Sequence, residues 1–276
     1  MTNKICTVVV PIYNSLHAVR PCFDSVLRWT DLDRNEVILV NDASDEHTSE
    51  VLRQWSELHS SVSLVENEVN VGFVRSCNRA LAIAESEFVV LLNSDTCVTP
   101  RWLEKMIACM RSDDAIAIAS PVSNFAPYLR IEMAPGADYL AMNAFLEDLA
   151  RPSYPDVTTP EGFCYMIRTC LLDRLGLFDL VFDDGYGEES DLAMRANYLG
   201  YRTVCVDDTY IYHQGRGTFG SERRRSLYER NRTIFNDRWS ARYSEQLAEF
   251  RQRDPLAPLR AGSEKLGAGL KSSFDR

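Results

Sequence analysis

Short apolar runs rich in β-branched residues alternate with amphipathic stretches over the first 120 residues. The runs fall at residues 5–10, 36–40, 62–65, 87–92 and 115–119. Between them, apolar residues recur at helical spacing, first after Asn14-Ser15 and again after Ser44-Asp45, two pairs suited to cap a helix. This alternation predicts an α/β fold with a Rossmann-like, mostly parallel central sheet flanked by helices.

The pattern changes between residues 121 and 160. Six prolines punctuate this polar and aromatic stretch, and only residues 139–149 have the spacing of a short helix. Regular patterns return as strands at 163–167 and 202–206, with helices near 171–175 and at 188–199. Long irregular segments in compact domains usually serve a function, so we expect determinants of specificity between residues 121 and 160.

The formal net charge of −10 hides an asymmetry along the chain. Residues 221–276 hold thirteen Lys and Arg against eight Asp and Glu, which leaves −15 on the first 220 residues. Such an acidic surface argues against nucleic acid as a partner and suits metal cations and hydroxylic substrates. The apolar runs are too short to span a membrane, and no signal-peptide pattern begins the chain, so we expect a cytoplasmic protein.

Eight cysteines occur in the chain, but none forms a CxxC pair and most lie in apolar runs. This spacing fits neither a zinc knuckle nor the disulfide framework of a secreted protein. We therefore expect buried, reduced thiols.

Polar residues follow the fourth apolar run directly. Asn93, Ser94 and Asp95 come after residues 88–92, and a helix is predicted from Pro100 onward. Residues two apart on an extended chain point the same way, so Asn93 and Asp95 can face one ligand at the carboxyl edge of the sheet. This arrangement predicts a metal-diphosphate site.

The first two runs also end in polar or aromatic residues. Pro11, Tyr13 and Asn14 close the first run, and Asp42 follows the second. Asp42 could accept the imino N–H of a pyrimidine, and Tyr13 could offer a flat apolar face, which together predict a nucleotide-base pocket. The alternative is that Asp42 and Ser44 only cap the next helix.

A glycine turn leads into the next predicted helix. Gly72 allows a positive φ or close approach of the backbone to a ligand. Arg75 and Asn78 lie three residues apart on one helical face and could contact one phosphate or base together. The motif lacks the glycine pattern of dinucleotide folds and of P-loops, which argues against dehydrogenases and P-loop kinases.

Acidic residues gather where the helix at 188–199 begins. Glu188, Glu189 and Asp191 follow glycines at positions 185 and 187. Carboxylates in a first helical turn can serve only to offset the helix dipole. We favour a functional role, because so many like charges together require a cation or a proton-transfer task.

A glycine-rich loop follows the last predicted strand. It contains His213 and Arg216, flanked by glycines at 215 and 217. A lone histidine is more often structural than catalytic. Here the loop suggests a phosphate-facing segment in which the imidazole completes a mixed oxygen and nitrogen metal site with Asp95.

Taken in order, the blocks PIYN, VNDAS, NVGF with Asn78, LLNSDT, GYGEESDLAMR and YHQGRGTF resemble the inverting family-two glycosyltransferases of the GT-A fold. The resemblance spans residues 6–219. It implies a glycosyltransferase domain at 1–220, with a nucleotide-binding half at 1–120 and an acceptor-binding half at 121–220. A basic helical extension at 221–276 would follow, and the fold would include a small antiparallel portion.

The resemblance also implies roles for the residues in these blocks. Those around the donor nucleotide would be Pro11, Tyr13, Asn14, Asp42, Gly72, Arg75 and Asn78. Asp95 would be the second acid of the DxD motif and bind a divalent metal, Mn²⁺ or Mg²⁺, with His213 as the distal ligand and Arg216 assisting the leaving phosphate. Asn93 replaces the first acid and cannot supply charge. Glu189 would be the catalytic base, with Asp191 as second choice and Glu188 beside them.

The reaction implied is transfer of a sugar, with inversion, from a UDP- or dTDP-sugar to a hydroxyl of a glycan, lipid-linked or protein-linked acceptor. One alternative is a non-catalytic nucleotide-sugar-binding subunit of a polysaccharide assembly complex, since Asn93 and Glu189 depart from the family pattern. Another is a sugar nucleotidyltransferase, although the chain lacks its Lys- and Arg-rich glycine signature near the N-terminus.

The basic tail is expected to begin as a helix and to become loose after Pro255. Basic helices can lie on anionic membranes, which would make the protein peripheral at the inner face of the membrane. We favour a solvated helix that packs on the domain through Leu227, Ile234, Phe235 and Trp239.

Overall fold

The computed structural model describes residues 4–149, 152–215 and 221–274. Its centre is one eight-stranded sheet of order β3-β2-β1-β4-β7-β6-β8-β5. The strands are β1 (Cys6–Ile12), β2 (Asn35–Asn41), β3 (Val62–Glu66), β4 (Phe88–Leu92), β5 (Thr96–Cys97), β6 (Ile116–Ser123), β7 (Cys164–Arg168) and β8 (Arg202–His213). The predicted mostly parallel sheet is confirmed, with β7 and β5 antiparallel to their neighbours.

Helices cover the sheet and extend beyond it at the C-terminal end. They are α1 (Leu16–Trp29), α2 (Glu46–Leu58), α3 (Phe73–Leu81), α4 (Trp102–Ser112), α5 (Tyr139–Leu149), α6 (Leu172–Leu175), α7 (Glu188–Tyr198), α8 (Ser221–Arg253) and α9 (Ala257–Phe274). The short helix predicted at 139–149 is confirmed. Within the described residues, no helix is both long enough and apolar enough to cross a membrane.

The parallel strands bring their carboxyl ends to one edge of the sheet. Ile12 lies beside Asn41 in the β1–β2 register, and Val9 lies beside Leu91 in the β1–β4 register. These strands are buried on both faces, as their near-continuous β-branched and aliphatic sequences require. The residues that follow them therefore gather in one place.

The caps of the first two helices are only partly as predicted. The Asp45 carboxylate accepts the Thr48 backbone N–H at 2.9 Å and so caps α2. Asn14 and Ser15 precede α1, but the Ser15 side chain makes no capping bond. The Asn14 side chain instead accepts the backbone N–H of Asp45 at 2.7 Å, which joins the two loops at the sheet edge.

Most of the thiols are buried, as predicted. All eight cysteines are free, and six of them are buried. Cys170 is exposed and Cys97 is half-buried, so the prediction fails for the first and holds partly for the second.

The expected loose segment after Pro255 is wrong, because α9 occupies residues 257–274. Leu256 and Leu259 are buried in an apolar cluster with Met142 and Leu146 of α5. A Cβ on Gly262 would lie 2.6 Å from a methyl of Leu149. The small residues of this segment thus permit close packing of α9 on α5, and their presence does not indicate a flexible chain.

Helix α8 packs on the domain, as we favoured from the sequence. Phe235 is buried, with Ile234 and Trp239 packed against the same cluster, while Leu227 lies outside it. Asn231 is fully buried, and its amide donates to the backbone oxygens of Phe182 and Gly185 at 2.7 and 2.6 Å. The helix is therefore held against the loop that precedes α7. The division at residue 220 stays a prediction.

A buried carboxylate on α7 makes the second attachment of α8. Asp191 is 1% exposed and accepts hydrogen bonds from Arg195, Arg238 and Trp239 at 2.9, 3.0 and 2.9 Å. Arg238 also pairs with Asp179. Asp191 thus links its own helix to α8 through charge-assisted bonds.

We expect Asp191→Asn to destabilise the fold by about 1–3 kcal/mol, because a buried acceptor of three bonds loses its charge while its donors stay in place. Urea denaturation followed by far-UV circular dichroism measures the change. Asp237→Asn on the exposed side of α8 is the matched control and should stay within about 0.5 kcal/mol of the parent. Equal midpoints for Asp191→Asn and the parent would show that this attachment is dispensable.

Candidate active site

A cleft of about 1160 Å³ opens at the carboxyl edge of the sheet. It is bounded by the ends of β1, β2, β4 and β8, the loop before α7, the segment before β7, and one face of α8. Ten of the predicted site residues line it: Pro11, Tyr13, Asp42, Gly72, Asn93, Ser94, Asp95, Glu188, Glu189 and His213. The sheet edge therefore brings together most of the motifs singled out from the sequence.

Asp95 and His213 face each other across the short β5–β8 pair. The Asp95 Oδ1 atom lies 3.3 Å from His213 Nε2. Thr96 lies beside His213 in the strand register, and the Gln214 backbone N–H donates to the Asp95 backbone oxygen at 2.9 Å. Backbone pairing thus fixes both residues, although they are far apart in sequence.

The ring orientation of His213 leaves a lone pair directed at Asp95. His213 Nδ1 lies 3.0 Å from the Phe125 backbone oxygen, which can only accept, so Nδ1 carries the proton. In the neutral ring, Nε2 is then an acceptor that faces a carboxylate. Histidine ligands of metals usually donate their other N–H in this way.

Two acceptors this close require a cation between them, either a proton on the ring or a metal ion. One carboxylate oxygen and one imidazole nitrogen suit a divalent ion of the Mn²⁺ type. Among residues 4–149, 152–215 and 221–274, no cluster of three His, Cys, Asp or Glu side chains could hold a metal. The residues present therefore fit an ion that takes its remaining ligands from phosphate oxygens and water.

Asp42 lies at the wall of the cleft and organises the turn before α3. It is 4% exposed and accepts the backbone N–H groups of Val71 and Gly72 at 2.8 and 3.0 Å, and the Asn67 amide at 2.8 Å. The alternative in which Asp42 and Ser44 cap α2 is wrong, because Asp45 makes that cap. Ser44 instead accepts the Asn14 backbone N–H at 2.9 Å.

Gly72 occupies a position that strongly favours glycine. Its φ is +86°, and a Cβ there would collide with the Asp184 carboxylate. The Val74 backbone N–H donates to the Asp183 oxygen at 3.4 Å. The turn before α3 thus touches the acidic loop before α7.

Three predicted donor-binding residues do not line the cleft. The Asn78 amide is committed to the backbone of Phe178, donating at 2.8 Å and accepting at 3.0 Å. Arg75 is exposed to solvent, so the predicted joint contact of Arg75 and Asn78 with one ligand group is not found. Asn14 joins two loops behind the cleft wall. Arg216 lies outside the described residues.

The three acids at the start of α7 have different surroundings. Glu188 is 4% exposed, and one of its oxygens is buried without a hydrogen-bond partner. Burial, followed by the charge of Glu189, raises the pKa of the Glu188 carboxyl well above its usual range. Burial therefore favours the neutral form of Glu188, which disfavours it as a base.

Glu189 is half-buried and reaches the cleft. Its carboxylate accepts the Gly187 backbone N–H at 3.3 Å and the Ser190 hydroxyl at 3.1 Å. Its carboxyl carbon would lie 3.9 Å from a Cβ on Gly162, across the cleft floor. Asp191, the second choice for the base, is excluded from the cleft because its oxygens bind Arg195, Arg238 and Trp239.

The sequence analysis missed one carboxylate in the cleft. Glu161 is 3% exposed and accepts the backbone N–H groups of Tyr128 and Leu129 at 2.6 and 2.8 Å. Burial, together with the charge of Glu189, raises the pKa of Glu161 to about 7 despite these donors. The available signal was an acid between Pro160 and Gly162, directly before a buried strand.

The family-sequence model described as "Glycosyl transferase family 2" matches residues 7–176, more than half of the chain. The match ends before α7, so it does not include Glu188, Glu189 or His213.

Two curated relatives are similar in sequence. An uncharacterized glycosyltransferase of Haemophilus influenzae is 26% identical over 112 residues, 41% of this chain and 34% of the relative. Glycosyltransferase GlyG of Streptococcus pneumoniae is 22% identical over 224 residues, 78% of this chain and 73% of the relative. The chain therefore covers about a third of the first relative and most of the second.

A solved structure shares the fold. The crystal structure of GalNAc-T7 with UDP, GalNAc and Mn²⁺ superposes with a TM-score of 0.67 at 17% identity, over 92% of this chain and 52% of that one. The central sheet, the edge cleft and this neighbour confirm the GT-A fold predicted from the motifs. With the match over residues 7–176, the chain belongs to glycosyl transferase family 2.

Proposed function

We propose that this protein transfers a sugar, with inversion, from a nucleoside-diphosphate donor to a hydroxyl of an acceptor. The observation that carries the proposal is one cleft that joins a paired carboxylate and imidazole, Asp95 and His213, with a separate half-buried carboxylate, Glu189. The Asp95–His213 pair would supply a cation site for a leaving diphosphate, and Glu189 would supply a proton acceptor for an attacking hydroxyl.

The donor nucleotide would occupy the wall formed by the ends of β1 and β2. Tyr13 is 39% exposed there and offers its ring to a base, while Gly72 allows backbone approach. Asp42 retains acceptor capacity beyond its three present bonds, because a carboxylate has about four lone-pair sites. We favour a UDP- or dTDP-sugar, in keeping with the UDP bound to the GalNAc-T7 neighbour.

Asp95 and His213 would hold a divalent ion, Mn²⁺ or Mg²⁺, and the GalNAc-T7 neighbour contains Mn²⁺. When bound, such an ion stabilises negative charge on the departing diphosphate. Asn93 and Ser94 border the same point and present neutral polar groups to the donor. Phe163 stacks on the His213 ring at 5.3 Å and keeps its plane fixed.

Glu189 would take the proton of the acceptor hydroxyl as that oxygen attacks the anomeric carbon. The C–O bond to the diphosphate breaks in the same displacement, so one step inverts the anomeric centre. The raised pKa of Glu188 beside it favours the neutral form of that carboxyl. Glu161 holds residues 128–129 against the floor of the cleft, next to the path of the acceptor.

Glu189→Gln should lower transfer by roughly 10²–10⁴-fold, the usual contribution of a general base, because the amide cannot accept the proton. The same variant should still be stabilised by a nucleotide-sugar and Mn²⁺ in a thermal-shift assay, since donor binding uses other residues. Glu104→Gln, at an exposed position of α4, is the matched control. Full transfer activity in Glu189→Gln would assign the base elsewhere.

Asp95→Asn should weaken Mn²⁺ binding in the presence of UDP by removing the charged ligand, and His213→Ala should do so by removing the nitrogen ligand. Titration of free Mn²⁺ by electron paramagnetic resonance measures this without reference to turnover. His47→Ala on the surface of α2 is the control. Parent-like Mn²⁺ affinity in both variants, or undiminished transfer in excess chelator, would reject the metal site.

A further inference from the structure

One face of α8 lines the cleft over most of the length of the helix. The positions are Tyr228, Arg232, Asn236, Ser240, Ser244 and Arg251, which recur at intervals of four or seven residues. Residues four apart are neighbours along a helix, each turned by about 40° from the one before, so the row winds obliquely along α8. At 1.5 Å per residue, this row extends for roughly 35 Å, longer than a nucleotide-sugar requires. The cleft volume of about 1160 Å³ also exceeds the ~300–1,000 Å³ typical of small-ligand sites.

The polar groups of this row are free, in contrast with those that fasten the helix. Asn231, Arg238 and Trp239 all bond to the domain. The exposed side chains of Arg232, Asn236, Ser240, Ser244 and Arg251 make no hydrogen bond or ion pair with any other described residue. The helix is thus attached along one side and presents unused donors and acceptors to the cleft along another.

The chemistry of the row suits a carbohydrate. Amide and hydroxyl side chains match the hydroxyl groups of a sugar, and aromatic rings match its apolar faces. The ring centroids of Tyr228 and Tyr186 lie 6.3 Å apart in an edge-to-face pair. The ring of Phe125 is 47% exposed in the same cleft. Hydroxyl and amide groups along α8, and exposed rings elsewhere in the cleft, are therefore available to successive sugar units.

Charge divides the cleft into two regions. Carboxylates such as Asp95 and Glu189 lie on the side of the sheet edge and the loop before α7. The α8 row contains Arg232 and Arg251 and no acid. Arg251 lies near the C-terminal end of α8, whereas Tyr228 lies near its N-terminal end. Among the described residues that line the cleft, Arg232 and Arg251 are the lysine or arginine side chains, so a negative group on a long ligand is complemented along α8.

We propose that this face of α8 binds the acceptor as an extended anionic oligosaccharide, with its reacting end beside Tyr228 and Glu189 and a phosphate or carboxylate group at Arg251. The proposal rests on the glycosyltransferase function above. It assigns the acceptor site to a helix outside the region 7–176 that the family match covers. Acceptor recognition is then a property of this chain's own C-terminal segment.

The test uses the full chain, saturated with UDP and Mn²⁺, and fluorescently labelled sugars of one, two, four and six units. Three series serve as probes: neutral malto-oligosaccharides, oligogalacturonates, and phosphorylated malto-oligosaccharides. Fluorescence polarisation should show at least about tenfold tighter binding of anionic hexamers than of the matching monomers. The tighter anionic series identifies carboxylate or phosphate as the preferred group.

Two variants with matched controls locate the binding. Ser240→Trp should fill the groove and lower hexamer affinity about tenfold or more, while Ala241→Trp, on an exposed position off the cleft, should not. Arg251→Gln should remove the preference for anionic over neutral hexamers, while Arg253→Gln should keep it. Thermal melting of each variant confirms that the fold is retained.

Equal affinity for monomers and hexamers, no binding by any series, or parent-like binding by Ser240→Trp would overturn the proposal. A preference for anionic hexamers that survives in Arg251→Gln would overturn its charge assignment. Stabilisation of the parent by UDP-sugar and Mn²⁺ is measured in parallel. If that stabilisation is present while the sugar series fail, the acceptor site is wrong and the donor function stands; if it is absent, the proposed function itself fails.

Discussion

The pairing of Asp95 with His213 is the constraint on which the site depends. Two acceptor atoms 3.3 Å apart repel unless a proton on the ring or a metal ion lies between them. The protein nevertheless fixes both groups, through the β5–β8 register on one side and the Phe125 carbonyl on the other. A fold that holds two such groups together has the form of a preorganised cation site. Binding of the cation offsets the repulsion between the two groups.

The acids at the start of α7 show how similar residues are given different tasks by their environment. Glu188 is buried with one oxygen lacking a hydrogen-bond partner, which goes with a raised pKa, whereas Asp191 is equally buried but surrounded by three donors. Glu189, between them in sequence, is half-buried and lines the cleft. The order of burial along this single helical turn therefore separates the fully bonded Asp191 from Glu189, which reaches the cleft.

Much of the site could be predicted from sequence because strand ends in a parallel sheet meet at one edge. Polar residues after the runs at 5–10, 36–40 and 87–92 had to converge, and they do.

Other features depend on contacts that spacing cannot reveal. The i, i+3 relation of Arg75 and Asn78 indicates a shared side of α3 but not what that side meets. The partners of Asp191 lie 47 and 48 residues away on α8. Glu161 lies at the end of a segment without periodicity, and the glycine and serine content of α9 resembles that of a linker although it serves tight packing.

The absence of a side chain at Gly72 has a consequence for how the parts of the cleft are joined. The acidic loop rests its Asp184 carboxylate on the bare Cα, and the amides on either side of that Cα belong to the turn held by Asp42. The turn before α3 and the acidic loop before α7 are therefore in direct contact at Gly72 and Val74. The acidic loop leads directly into α7, so the contact at Gly72 joins the turn held by Asp42 to the segment that positions Glu189.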